Sequence, residues 1–249
     1  MNENFRRLLF ILVMILSVSC CSRYLSINNF NSNDADPFNN IKNSVFFVLR
    51  TDSIDIDLQD RSETLVVAES SGTGTAVRSN RNFTDVLTAG HVCVDYFADP
   101  LSSSNVDHMY ELLDFHGNHH KADLIAVDVE SDLCLLRIWV PSETVDINHG
   151  KTLSGAHVRY SGYPLGLYIP GNLHHFEGRY SGTDRSGYSM FSLPAVGGSS
   201  GSAILNNDGE IIGVISAVTG EFANLTIGPG TERINAFLFL SSDCQKYCI

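Results

Sequence analysis

From residue 44 onward the apolar positions fall in short runs closed by Gly, Asn, Asp or Ser. The first group covers residues 45–49, 73–77, 86–88, 124–127 and 133–138, and such runs read as β-strands. A polar connection over residues 141–155 separates it from a second group at 157–160, 176–180, 189–193, 203–205, 211–217 and 236–240. Asn207-Asp208-Gly209 supplies a hairpin turn, because Asp and Gly tolerate positive φ. Long stretches with helical periodicity are scarce, so the pattern predicts an all-β protein. Two strand groups of similar size fit two barrels or one large sandwich, and periodicity leaves both open.

The N-terminal part has a different texture. Arg6 and Arg7 precede an uncharged apolar run over residues 8–18, then small residues and Cys20-Cys21, which is the layout of an export leader over residues 1–21. That run is about 11 residues, short of the roughly 20 that span a bilayer. The expectation is export, to a periplasm, a secreted state or a lipid-anchored one, with an uncleaved membrane-anchoring segment as the alternative. Leu16-Ser17-Val18-Ser19-Cys20 resembles a bacterial lipoprotein cleavage site, which would make Cys20 the acylated residue. Residues 22–43, rich in Asn, Ser and Asp, read as a polar linker.

Composition narrows the possible partners. The 249 residues, 43% of them hydrophobic, can bury a substantial core. Sixteen basic against 28 acidic side chains leave a net charge of −12, which repels phosphate backbones and anionic lipid, so nucleic acid is excluded and any membrane contact runs through the leader or a lipid. Of the cysteines beyond the leader, Cys134 lies in an apolar run, where a small buried thiol is expected. Cys244 and Cys248 stand four apart near the C-terminus, where a local disulfide or free thiols are equally compatible. His116, His119, His120, His174 and His175 lack compact ligand spacing, so no metal and no cofactor is expected.

Three segments carry possible chemistry. In Val86-Leu87-Thr88-Ala89-Gly90-His91 an apolar strand passes through small residues, which let the backbone pack behind the imidazole and leave its ring facing a cleft. In Asp128-Val129-Glu130-Ser131-Asp132-Leu133 an acidic turn enters a strand, and Asp132, preferred to Asp128 and Asp123 because it abuts that strand, can accept the Nδ1 proton of a histidine. In Gly197-Gly198-Ser199-Ser200-Gly201-Ser202 the glycines allow a backbone tight enough to aim N–H groups at one point beside an exposed serine.

In the order His, Asp, Ser, these segments resemble the chymotrypsin-like serine peptidases, and in particular their bacterial Deg/HtrA-related branch. Thr88-Ala89-Gly90-His91, Asp132-Leu133-Cys134-Leu135-Leu136 and Gly198-Ser199-Ser200-Gly201-Ser202 carry the likeness. Ser71-Gly72-Thr73-Gly74-Thr75-Ala76-Val77, Ser161-Gly162-Tyr163-Pro164-Leu165-Gly166 and the hairpin over residues 209–216 support it. The resemblance implies two antiparallel six-stranded β-barrels with the active site between them. They would form a peptidase domain over residues 44–241, with barrels at about 44–140 and 156–241 and a tail at 242–249.

It also implies a serine endopeptidase acting on protein or peptide substrates. Ser200 would be the nucleophile, His91 the general base, Asp132 the orienting group, and the N–H groups of Gly198 and Ser200 the oxyanion hole. Pro194, Ser216 and Ala217 would contact substrate. Pro194 stands where an acidic residue would select Lys or Arg, so small or medium apolar side chains are expected in the pocket. Two departures stand out: Ser202 replaces the family's usual glycine, and Ser199 replaces the aspartate that pairs with a freshly cut N-terminus in pancreatic-type enzymes. The alternative is an inactive barrel that binds peptides or a partner protein.

Overall fold

In the computed structural model, which describes residues 37–58, 61–95, 106–219 and 222–247, the apolar runs become strands with partners on both faces. Every residue of β6 (Leu133–Ile138) is buried, yet neighbours go to different cores. Cys134, Leu136 and Ile138 fill the inside of a barrel, whereas Leu133 and Leu135 join a cluster with Tyr163, Leu205, Val214 and Phe237. A strand sends successive side chains to opposite faces, so an unbroken apolar run requires apolar surroundings on both. β1 (Val45–Leu58) and β3 (Thr84–Ala89) follow the same rule, with Phe46, Val48 and Val86 inside and Val45, Phe47 and Leu87 outside. Each such side chain stabilises the fold by about 2 kcal/mol.

With β2 (Arg61–Ser79), β4 (Val106–Leu113) and β5 (His119–Asp128), these strands close a barrel in the order β1-β2-β3-β6-β5-β4. Closure leaves no open edge. Asp85 and Arg137 face each other across β3 and β6, and the guanidinium meets the carboxylate at 2.7 and 3.1 Å.

The second half is built differently from the expected six-stranded barrel. β7 (His157–Gly162), β8 (His174–Thr183), β9 (Tyr188–Ser192), β10 (Ala203–Leu205), β11 (Ile211–Val214), β12 (Ala217–Thr219) and β13 (Phe222–Pro229) form a seven-stranded sheet in the order β11-β10-β7-β8-β9-β13-β12. It does not close, although Gly213 and Gly230 form one isolated bridge. The run over residues 211–217 breaks at Ile215 and Ser216, where the Ile215 backbone bonds Gly201 and Ser202 and the Ser216 amide turns to Ile227 O. Val158, Tyr160, Phe191, Leu193, Ile204, Ile212 and Ile215 make its core.

A second correction concerns residues 236–240. They lie within a helix, α2 (Thr231–Tyr247), and not in a strand. Ile234, Phe237 and Ser241 are buried, at spacings of three and four, while Phe239 and Leu240 are exposed. That is one face of a helix, and the short apolar run concealed its period. Arg233, in the first turn, reaches Ser131 Oγ at 2.9 Å and Ser186 O at 2.6 Å, tying the acidic turn to the second sheet.

Residues 37–43, read as the end of the linker, form a 3₁₀ helix whose Phe38 and Ile41 are buried in the core. The leader, Cys20 with its proposed lipid, Cys248 and the side chain of Cys244 lie outside the described residues.

Candidate active site

The antiparallel register of β3 and β6 brings the first two candidates together. Ala89 pairs with Leu133, so the residues just beyond the end of β3 lie alongside those just before β6. His91 sits there in a single helical turn, α1 (Gly90–Cys93), and its amide donates to Asp132 Oδ1 at 2.8 Å. Its ring Nδ1 lies 2.9 Å from Oδ2 and 3.1 Å from Oδ1. Asp132 has a positive φ of 52°, a strained conformation for a residue with a side chain and one that collects at functional sites.

Ser216 Oγ also donates to Asp132 Oδ2. The hydroxyl of Ser216, a residue expected to contact substrate, grips the carboxylate, and its amide bonds Ile227 O at 3.1 Å. Burial alone would raise the Asp132 carboxyl, but hydrogen bonds from the His91 ring and Ser216, attraction to the imidazole and the His91 amide together hold it below the usual carboxylate range. An ionised Asp132 only accepts, so the proton between them sits on Nδ1 and the lone pair on Nε2.

The lowered value has a consequence for stability. A carboxyl held low by the fold stabilises it above the unfolded value near 4, and that contribution disappears as pH falls through the folded value. Asp132→Asn is expected to melt below wild type at neutral pH, with the gap closing in acid; thermal denaturation across pH reads this.

Asp128 and Asp123 have other work. Asp128 Oδ1 caps the amides of Glu130 and Ser131, and Asp123 accepts from Trp139 Nε1 at 2.7 Å. Among the described residues no group of His, Cys, Asp and Glu side chains is placed to hold a metal ion.

The third candidate is carried against this pair by backbone contacts. Thr73 N donates to Ser200 O at 2.8 Å, and Thr73 Oγ1 donates to Gly198 O at 3.1 Å. A Cβ at Gly201 would lie 2.1 Å from Thr73 O and 2.8 Å from Ala89 N, and one at Gly72 would strike both Val92 and Ser200 O. Only glycine permits that approach. Ser200 is therefore seated beside the segment that carries His91, though among the described residues no hydrogen bond joins the Ser200 hydroxyl to the ring. Such contacts are commonly long without substrate. Thr73, which ties the two halves together here, reads from sequence only as part of the glycine-containing strand over residues 71–77.

The turn over residues 197–200 exposes alternate amides. Gly197 O accepts from Leu165 N at 2.6 Å, and Ser199 O from Ser202 N at 3.1 Å. In a planar trans peptide the N–H points opposite its carbonyl, and no described peptide is cis. Holding those two carbonyls turns the N–H groups of Gly198 and Ser200 the other way, and neither has an acceptor among the described residues. The amides of Ser199, Gly201 and Ser202 are all engaged. Gly198 has a φ of 83°, and a Cβ there would come within 2.6 Å of Tyr163 O.

Residues 72–214 match the trypsin-like peptidase domain. The chain belongs to the trypsin-like serine peptidase family. No curated relative matches its sequence. Among solved structures it is similar to a serine endoprotease from Yersinia pestis, with a TM-score of 0.60 at 20% identity, covering 83% of this chain and 65% of that one. At that identity the likeness speaks for the fold, and this chain spans under two thirds of the length of that protein.

Within this trypsin-like domain Ser202, the departure from the usual glycine, is fully buried, and its hydroxyl has no hydrogen-bond partner among the described residues. A Cβ at Gly162 would lie 2.3 Å from Ser202 Oγ. The glycine at 162 thus supplies the room that the extra side chain takes. Pro194 is half-buried, and Ala217 is exposed on β12 opposite Ile227.

Proposed function

We propose that the domain is a serine endopeptidase that cleaves peptide bonds through an acyl-enzyme on Ser200. His91 Nε2 takes the Ser200 proton as Oγ attacks the scissile carbonyl, and later delivers it to the leaving amine. Asp132, steadied by Ser216, holds the ring in the required tautomer and stabilises the imidazolium that forms. The free N–H groups of Gly198 and Ser200 receive the oxyanion, a contribution of about 3 kcal/mol per donor. The observation that carries this reading is the double hydrogen bond from His91 to Asp132, which leaves a basic nitrogen facing away from the carboxylate.

Residues 190–200, 216–219 and 222–229, which flank the proposed pocket, contain no Asp or Glu, and Glu221 is the one acid between the last two segments in sequence. Thr226 is fully buried, donates to the carbonyl just before Pro194 and lies opposite Val218 across β12 and β13. The lack of an acidic side chain on these described segments favours small or medium apolar residues on the acyl side of the cut. Digestion of a peptide library by the full chain should yield such cleavages, and Ser200→Ala should yield none. A profile dominated by Lys or Arg would overturn the specificity, and activity surviving in Ser200→Ala would overturn the mechanism.

Cys93 and Cys134 are joined in a buried disulfide, which corrects the free thiol expected at Cys134. Such a bond persists in oxidising compartments, which together with the leader pattern of residues 1–21 supports export.

A further inference from the structure

The turn that presents the two free amides is short, rich in glycine and lacks the buried ion pair that an aspartate at residue 199 would make. What stands in that place is a polar circuit. Tyr160 rises from β7, fully buried, and its hydroxyl lies 3.0 Å from Pro194 O and 3.2 Å from Ser199 Oγ. Ser199 is also fully buried, and Val196 N approaches its Oγ at 3.4 Å.

Counting protons fixes the direction of this circuit. Pro194 O only accepts, so the single phenolic proton goes to it. Ser199 must then donate to the Tyr160 oxygen, leaving the serine lone pairs for the Val196 amide. One phenol therefore spans the turn from residue 194 to residue 199, with both flanks of Gly197-Gly198 tied to the same rigid strand.

We propose that Tyr160 is a positioning residue that holds the oxyanion turn in its receptive form, taking over the work of an ion pair and making a newly cut N-terminus unnecessary. The proposal rests on the reading of Ser200 as nucleophile. Burial pushes the phenol up to about 12 despite its bond to Ser199, so it remains a protonated donor across the working pH range. A β-strand anchor also suits the task, because sites held by regular elements are more exact than those held by loops.

The test uses the full chain as wild type, Tyr160→Phe and Ser199→Ala, with Tyr180→Phe as a control that loses an exposed phenol bonded only to Thr183 among the described residues. Three readouts are compared: kcat and KM on a peptide substrate, affinity for a peptide aldehyde that forms a tetrahedral adduct, and the melting temperature. Loosening one preorganised donor is expected to lower kcat on the order of tenfold in Tyr160→Phe, with KM changed less than about twofold and aldehyde affinity falling in parallel. Ser199→Ala should follow the same direction, and it decides the matter if Tyr160→Phe does not fold. Tyr180→Phe should match wild type.

An active wild type with unchanged kcat and aldehyde affinity in both variants would overturn the role of Tyr160 alone. A wild type that neither cleaves peptide nor reacts with a fluorophosphonate would overturn the reading of Ser200, and this proposal with it.

Discussion

Replacing Asp132 with asparagine is expected to lower kcat about 10⁴-fold, or roughly 5 kcal/mol of transition-state stabilisation, the size seen when the orienting carboxylate of a Ser-His-Asp triad is neutralised. The substitution keeps the shape and removes the charge. Both carboxylate oxygens accept from His91, one from the ring and the backbone amide together, and the other from the ring and Ser216. An amide offers one accepting atom in place of two, and its NH₂ favours an unprotonated Nδ1. The ring proton then moves to Nε2, where the lone pair is needed. Steady-state kinetics on a preferred peptide reads the effect, with KM nearly unchanged. A loss below about tenfold would show that Asp132 does not orient the base.

The disulfide should matter as much to stability as Asp132 does to rate. Cys93 and Cys134 lie 41 residues apart, and each stands two residues after a member of the His91–Asp132 pair. Closing a loop of that length removes about 4 kcal/mol of chain entropy from the unfolded state. The double variant Cys93→Ala/Cys134→Ala is expected to melt about 10 °C below wild type. Alanine is chosen because both positions are fully buried and a serine hydroxyl would add a desolvation cost. The β3–β6 pairing and the bond from Tyr110 OH to Cys93 O at 2.9 Å remain, so the variant should fold in the cold. Differential scanning calorimetry of the two proteins measures the shift, and coincident transitions would mean that the bond contributes nothing beyond the strand register.

Local signals mark the candidate site residues, and the strand pattern marks the fold class more clearly than the closure of the second sheet. His91, Asp132 and Ser200 sit in segments whose small residues and strand junctions mark them, because the backbone there must approach closely or turn sharply. The pairing of Cys93 with Cys134 depended on a register between distant strands, and a cysteine in an apolar run gives no sign of it. Thr73 reads from sequence only as a strand residue and Ser216 only as a substrate contact, since their hydroxyl partners lie far away in sequence. Tyr160 read as one more apolar strand position, and nothing local marks a phenol that reaches a turn more than thirty residues on. The five-residue run 236–240 was too short to separate a period of two from one of 3.6. The polar content of β4 hides its alternation, and no composition announces the break at Ile215 and Ser216.

Reaction of the full chain with a fluorophosphonate probe, followed by peptide mass mapping, tests the catalytic assignment most directly. One adduct is expected, on Ser200, abolished in Ser200→Ala and strongly slowed in His91→Ala, because the hydroxyl is nucleophilic only with the base beside it. A label on another residue, or equal labelling of wild type and His91→Ala, would contradict it.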